Sequence, residues 1–223
     1  MLSNKRSEKH LLIAFDMDGT LLDGRLVFAL ADRFGLSDKV REIQNNILLH
    51  GYEQSRKIAR LFKGLDQQDV RNAIENIKLM KNCERVAKEF KELGYVVGII
   101  SDSYTIATDY IAERLNLDFS ESNILELDQN GKLTGNVKMP LGWEKIGCYC
   151  KISVCKRYSL ENIAQKFKIA LESTVAIGDS KSDLCMLERA NIGIAFRPKQ
   201  KILEEKADVS IKEADLAIVT QFI

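Results

Sequence analysis

Proline is scarce: the 223 residues hold two, Pro140 and Pro198, so little forces an early stop on helices and strands. Histidine is as rare, at His10 and His50, which leaves few nitrogen ligands for a zinc centre. No stretch of about 18 apolar residues occurs, so no membrane span is expected. Neither sign of charge dominates, with 33 basic against 32 acidic residues and a net charge of +1. Nothing therefore advertises a nucleic-acid or acidic-membrane partner, and any charge that seats an anion has to be local. The opening Met1 to His10 has no apolar h-region and no small-residue cleavage site, so a cytoplasmic location is expected. Internal repeats and low-complexity tracts are also missing.

Five cysteines, Cys83, Cys148, Cys150, Cys155 and Cys185, make an odd number without a signal segment, which argues for thiols and against a disulfide framework. Cys148, Cys150 and Cys155 lie close together in sequence. A structural zinc site wants four ligands, usually with CxxC spacing, so these three read as reduced cysteines in a half-buried segment.

What is present is a globular composition, 45% hydrophobic and 29% charged, in a chain long enough for one sizeable core and a small accessory domain. His10 to Asp16 is a short apolar run bounded by charge, the pattern of a buried parallel strand. From Arg25 to Met80 the apolar residues change to helical spacing and predict four helices with no strand among them. From Asn82 onward helices and strands alternate: helix 83–93, strand 95–100, helix 104–115, helix 156–167, strand 174–177, helix 184–190, strand 192–195, helix 199–206, strand 209–211. Residues 123–137 alternate around Asn130-Gly131, a two-residue hairpin signal. The fold class is therefore α/β, a Rossmann-like parallel sheet with helices on both faces. Residues 1–22 and 82–223 form its core, and residues 23–81 form a small inserted all-helical domain.

In open parallel sheets ligands sit beyond the carboxyl ends of the strands, so the residues after each strand carry the chemistry. After the first come Asp16-Met17-Asp18-Gly19-Thr20, two carboxylates at i and i+2 followed by a glycine that permits a sharp turn. After the second come Ser101-Asp102-Ser103, expected at the start of a helix as an anion seat. After the strand at 174–177 comes Gly178-Asp179-Ser180-Lys181-Ser182-Asp183. Lys156 is expected to open its own helix, where the helix dipole disfavours a cation, so something else wants it there. These pieces describe phosphoryl transfer. Asp16, the backbone carbonyl of Asp18, and Asp179 can hold Mg²⁺, with Asp183 in support. Asp16 attacks phosphorus, and Asp18 protonates the leaving oxygen and then activates water. Ser101 and Lys156 stabilise the equatorial oxygens.

Phe15-Asp-Met-Asp-Gly-Thr20, the Ser101 segment, Lys156 and Gly178-Asp-Ser-Lys-Ser-Asp183 resemble the four motifs of the haloacid dehalogenase superfamily, in order. Lys156 fits better than Lys145 or Lys151 by its spacing to the Gly178-Asp179 turn. The helical insert resembles the C1 cap of the phosphoserine phosphatase branch. The likeness runs from Leu11 to Ile223 and includes Gly193-Ile-Ala-Phe196 and Glu205-Lys-Ala-Asp208. It implies a Mg²⁺-dependent phosphatase working through an aspartyl-phosphate on a small phosphorylated metabolite. A phosphotransferase or mutase with the same intermediate, phosphoserine phosphatase proper, and a non-catalytic module are the alternatives.

Residues that read the substrate depart from that branch. Its Glu for the substrate amino group falls at Arg25, and its cap Arg for the carboxylate falls at Ala59, with Arg56 and Arg60 nearby. The glycines after its second-motif Ser are Asp102 and Ser103, and its fourth-motif Asn is Ser182. Arg25 suggests a substrate with a second anionic or hydroxyl-rich part, although Asp102 could supply the missing negative charge. Ser101, Asp102, Lys156, Ser182 and Arg25 are thus the candidate substrate contacts.

Overall fold

In the computed structural model, residues 11–145 and 147–223 are described; His10, where the first strand was expected to begin, lies outside them. The strand β1 (Leu12–Phe15) is buried at all four positions, because it sits mid-sheet with both faces covered. It is followed by α1 (Leu26–Arg33), α2 (Ser37–Asn45), α3 (Gly51–Leu61) and α4 (Gln67–Glu75), the four expected helices. Next come α5 (Cys83–Glu92), β2 (Val96–Tyr104), α6 (Thr105–Arg114), β3 (Phe119–Leu127) and β4 (Leu133–Lys138). The chain closes with α7 (Lys156–Phe167), β5 (Thr174–Gly178), α8 (Leu184–Leu187), β6 (Ile192–Phe196), α9 (Lys201–Lys206) and β7 (Val209–Ile211). A 3₁₀ segment at Leu216–Phe222, which had no clear apolar period to announce it, packs Leu216 and Val219 into the core.

The sheet order is β4-β3-β2-β1-β5-β6-β7, with every neighbouring pair parallel except β3 and β4. The chain builds β2, β3 and β4 on one side of β1, then crosses to β5 on the other. That reversal makes the β1–β5 boundary the topological switch point, where a crevice opens at the strand ends. Phe15 pairs with Ile99 on one side and Ile177 on the other, so Asp16, Ser101 and Asp179, each one or two residues further on, emerge together.

Two local expectations change. Strand β2 does not stop at Ile100 but runs through Ser101-Asp102-Ser103, and α6 begins only at Thr105. The pairing with β3 jumps from Ile100 to Tyr104, so the intervening residues leave the ladder. The β3–β4 connection is also longer than a two-residue turn. Leu127 pairs with Leu133, and the Asp128 carboxylate accepts from the Asn130 and Lys132 N–H groups while Gly131 takes φ 77°. An Asx-type turn has replaced the tight hairpin.

The buried residues of the helical segment, among them Leu26, Leu30, Phe62, Val70 and Ile74, join one apolar cluster with Phe15, Ile99 and Ile177. Its two connections to the sheet run side by side: Leu22 bridges Leu79, and Met80 N–H donates to Leu21 O at 2.8 Å.

Candidate active site

Strand-end geometry places Asp16 one residue beyond β1, with its N–H held by Ile177 O at 2.8 Å. The carboxylate is buried, and so are Asp18, Asp179 and Asp183. Four buried acids in one crevice repel each other and lose hydration, so they require cations. One is Lys156, whose side chain is fully buried although it opens α7. Its Nζ donates to Asp16 Oδ1 at 2.6 Å and to Asp183 Oδ1. That pairing is the reason a lysine stands at a helix N-terminus. Burial opposes its charge, but Asp16 and Asp183 outweigh burial and raise its pKa above the lysine norm.

Asp183 is the organiser of its turn. Its Oδ2 accepts from the backbone N–H groups of Asp179, at 3.1 Å, and Ser180, at 2.9 Å, and its Oδ1 holds Lys156. With both oxygens so engaged, it orients its neighbours, as a supporting residue would. Gly178 and Gly19 allow the close approach: a Cβ at Gly178 would run into the Asp183 side chain, and one at Gly19 into the Asp179 carboxylate. Gly19 also has φ +95°, which a residue with a side chain rarely adopts.

Oxygens of Asp16, Asp179 and Asp183 all lie within 4.8 Å of one another. Asp179 Oδ2 pairs with Lys199, but its buried Oδ1 has no hydrogen-bond partner. Burial, the largest cause, together with the neighbouring carboxylates raises the pKa values of Asp16 and Asp179. An unpaired buried carboxylate oxygen facing other carboxylates fits a hard, oxygen-seeking divalent cation such as Mg²⁺. Lys199 escaped the sequence reading. It follows the end of β6, and its N–H donates to Asp179 O at 2.8 Å; the only signal was its place after a strand at the same sheet edge.

Asp18 turns its Oδ1 toward the first turn of α1, accepting the Leu26 N–H at 2.8 Å. Burial raises its pKa to about 6, against that hydrogen bond and the nearby charge of Arg25, which both lower it. Arg25 precedes α1. Burial opposes its charge, yet Asp102, Asp18, Asp179 and Asp16 together raise its pKa, so the crevice does gather Arg25 and Asp102. Ser101 is fully buried on the β2 extension, two residues beyond the Phe15–Ile99 pair. It is not at a helix start; its Oγ accepts the Ser103 N–H at 3.2 Å. Ser182 Oγ shares a hydrogen bond with Ser180 Oγ at 2.9 Å, within the acidic turn.

The cap arginines are occupied differently. Ala59 is buried, Arg56 lies over the Tyr52 ring and 4.0 Å from Glu144, and Arg60 is exposed beside Gly135 on β4.

With these carboxylates and the lysine assembled at the switch point, comparison with known proteins agrees on one family. Residues 13–188 match the haloacid dehalogenase-like hydrolase family. The chain belongs to that family. A phosphoserine phosphatase of Methanocaldococcus jannaschii is 36% identical over 219 residues, covering 97% of this chain and 99% of its own. One from Archaeoglobus fulgidus is 35% identical over 92% of this chain and 57% of its own length. A solved phospho-aspartyl intermediate analogue of phosphoserine phosphatase superposes with a TM-score of 0.84 at 34% identity, covering 96% of this chain and 99% of its own. A substrate-bound phosphoserine phosphatase complex gives 0.84 at 33%, over 96% and 98%. This haloacid dehalogenase-like chain is an enzyme of the phosphatase type. No helix among the described residues is long and apolar enough to cross a membrane.

Proposed function

We propose that the enzyme hydrolyses a small phosphorylated metabolite by nucleophilic attack of Asp16 on phosphorus, with Mg²⁺ as cofactor. The observation that carries this reading is the buried pairing of Asp16 with Lys156 beside the unpartnered Asp179 Oδ1. Lys156 takes one oxygen of Asp16, orienting the carboxylate and leaving the other oxygen to attack. Asp16, Asp179 and the Asp18 carbonyl would hold Mg²⁺, with Asp183 in support. When bound, that ion offsets repulsion between the nucleophile and an anionic phosphate.

Asp18 is the acid and base. Burial keeps a proton available on it near neutral pH, so it can protonate the leaving alcohol as the aspartyl-phosphate forms on Asp16. The carboxylate then takes a proton from the attacking water, and phosphate leaves. Ser101, with the Lys156 ammonium, stabilises the transferring oxygens. Residues 23–81 act as a cap over this core of residues 1–22 and 82–223, excluding bulk water and completing the substrate pocket.

The substrate we favour is a phosphomonoester with a second anionic or hydroxyl-rich group, in preference to phosphoserine. Arg25 stands where the resembling enzymes have an acid, and like charge there opposes an ammonium. Arg56 lies over the Tyr52 ring with Glu144 nearby. A phosphate-release screen over a metabolite panel, with Mg²⁺ and with chelator, tests this reading. Turnover without added alcohol acceptor supports hydrolysis; turnover only with an acceptor makes the enzyme a phosphotransferase.

A further inference from the structure

Apart from the catalytic carboxylates, the chain folds four cysteines together. Cys148, Cys150 and Cys155 lie on the loop before α7, and Cys185 lies in α8. All four Sγ atoms fall within 4.8 Å of one another. The sequence reading found three of them and dismissed a metal for want of a fourth ligand. The fourth is 30 positions beyond Cys155, and only the packing of α7 against α8 brings it in.

We propose that these four cysteines form a structural site for one Zn²⁺ ion, separate from the carboxylate crevice. Four thiols, three buried and one half-buried, gain little from one another: none is in a disulfide, and cysteine is a weak partner for cysteine. The separations suit a single ion. Tetrahedral thiolates about 2.3 Å from zinc stand roughly 3.8 Å apart, inside the 4.8 Å that bounds the four sulfurs. An iron–sulfur cluster spreads its cysteines over different irons and needs wider spacing.

The surroundings are arranged for thiolates. Backbone N–H groups of Ile152, Tyr158 and Arg157 lie near the sulfurs of Cys150, Cys155 and Cys185, where their dipoles favour thiolates. Cys155 is the residue before α7, where the helix dipole favours negative charge. The Arg157 guanidinium lies near Cys148 and Cys155, where its charge would offset part of the net negative charge that four thiolates leave on zinc. Trp143 and Tyr158 pack against the cluster, while Cys150 is only half buried and leaves a way in.

The placement also gives the ion a structural task. Cys155 immediately precedes Lys156, and Cys185 comes two residues after Asp183. One ion would staple the start of α7 to the turn that carries Asp179 and Asp183.

Protein purified without chelator is assayed for metals by mass spectrometry, then titrated with an organomercurial while a chromophoric indicator reports released zinc. The expected result is one zinc per chain, freed as four thiols react, and lost from a Cys148→Ser/Cys185→Ser variant. Cobalt exchange provides a readout that does not need that variant to fold. Co²⁺ in the wild-type site gives thiolate charge-transfer absorption and intense tetrahedral bands, and quenches the emission of Trp143, the chain's one tryptophan. Zinc removal should lower Tm by roughly 10 °C. Stoichiometric iron in place of zinc, or four thiols that react freely in protein holding no bound zinc, would overturn the proposal. None of these readouts uses turnover, so the site stands or falls independently of the phosphatase mechanism.

Discussion

Lys156 Nζ donates to Asp16 Oδ1 at 2.6 Å across 140 positions of sequence. It binds Asp183 as well, so one buried ammonium neutralises part of two buried acids and ties together two strand-end turns.

Removal of that ammonium should harm both folding and chemistry. Lys156→Ala leaves Asp16 and Asp183 buried without their partner, a loss of about 3–5 kcal/mol for a broken buried ion pair. Turnover should fall on the order of a hundredfold or more as the phosphate loses a stabilising charge. Urea denaturation and kcat on one preparation check this, and unchanged stability would remove Lys156 from the site.

Much of this arrangement could be read from local sequence. Four buried apolar residues ahead of Asp16-Met17-Asp18-Gly19 predict a central strand and an acidic turn, because both depend on neighbouring residues only. Lys156 was found through its conflict with a helix dipole. What stayed hidden depends on distant partners. Strand β2 extends past Ile100 because Asn123 of β3 pairs with Tyr104 and its side chain donates to Asp102 O, contacts that no turn residue announces. The β3–β4 turn is the local exception, where Asp128 captures N–H groups of its own loop and lengthens a hairpin that Asn130-Gly131 alone would close. Lys199 and Cys185 reach their partners only after β6 and α8 pack.

Asp18 should give the reaction its pH dependence. Its proton is needed in the first step, and burial holds its pKa at about 6, so the protonated fraction falls as pH rises through that value. For an alkyl phosphate, kcat/KM should decline above about pH 6, and less steeply for an aryl phosphate with a good leaving group. Asp18→Asn should damage turnover far more than Mg²⁺ affinity. Stability has the same sign: in chelator-treated protein, Asp18's contribution is fully present below 3.8 and is lost as pH rises through about 6. Equal slopes for the two substrates would contradict the acid role.

Arg25 should set substrate preference. Kinetics on phosphoserine, sugar phosphates and phosphoglycerate-like acids should put phosphoserine below the best of the others. Arg25→Glu should narrow or reverse that order, by about tenfold or more in the kcat/KM ratio. Phosphoserine preferred by the unaltered enzyme would defeat the assignment.

The helical segment should behave as a lid. Its two connections pair at Leu22 and Leu79, close enough to hinge together. Amide exchange across residues 23–81 should slow when Mg²⁺ and a phosphate mimic are added. Identical exchange in both states would mean that the segment is fixed.

The central claim is the covalent step on Asp16, and a rapid acid quench tests it most directly. Enzyme mixed with labelled substrate and Mg²⁺ should carry transient phosphate, mapped by peptide mass spectrometry to Asp16. Asp16→Asn should carry none and lose turnover by about a thousandfold or more. Label on another residue, or Asp16→Asn turning over near the wild-type rate, would contradict the account.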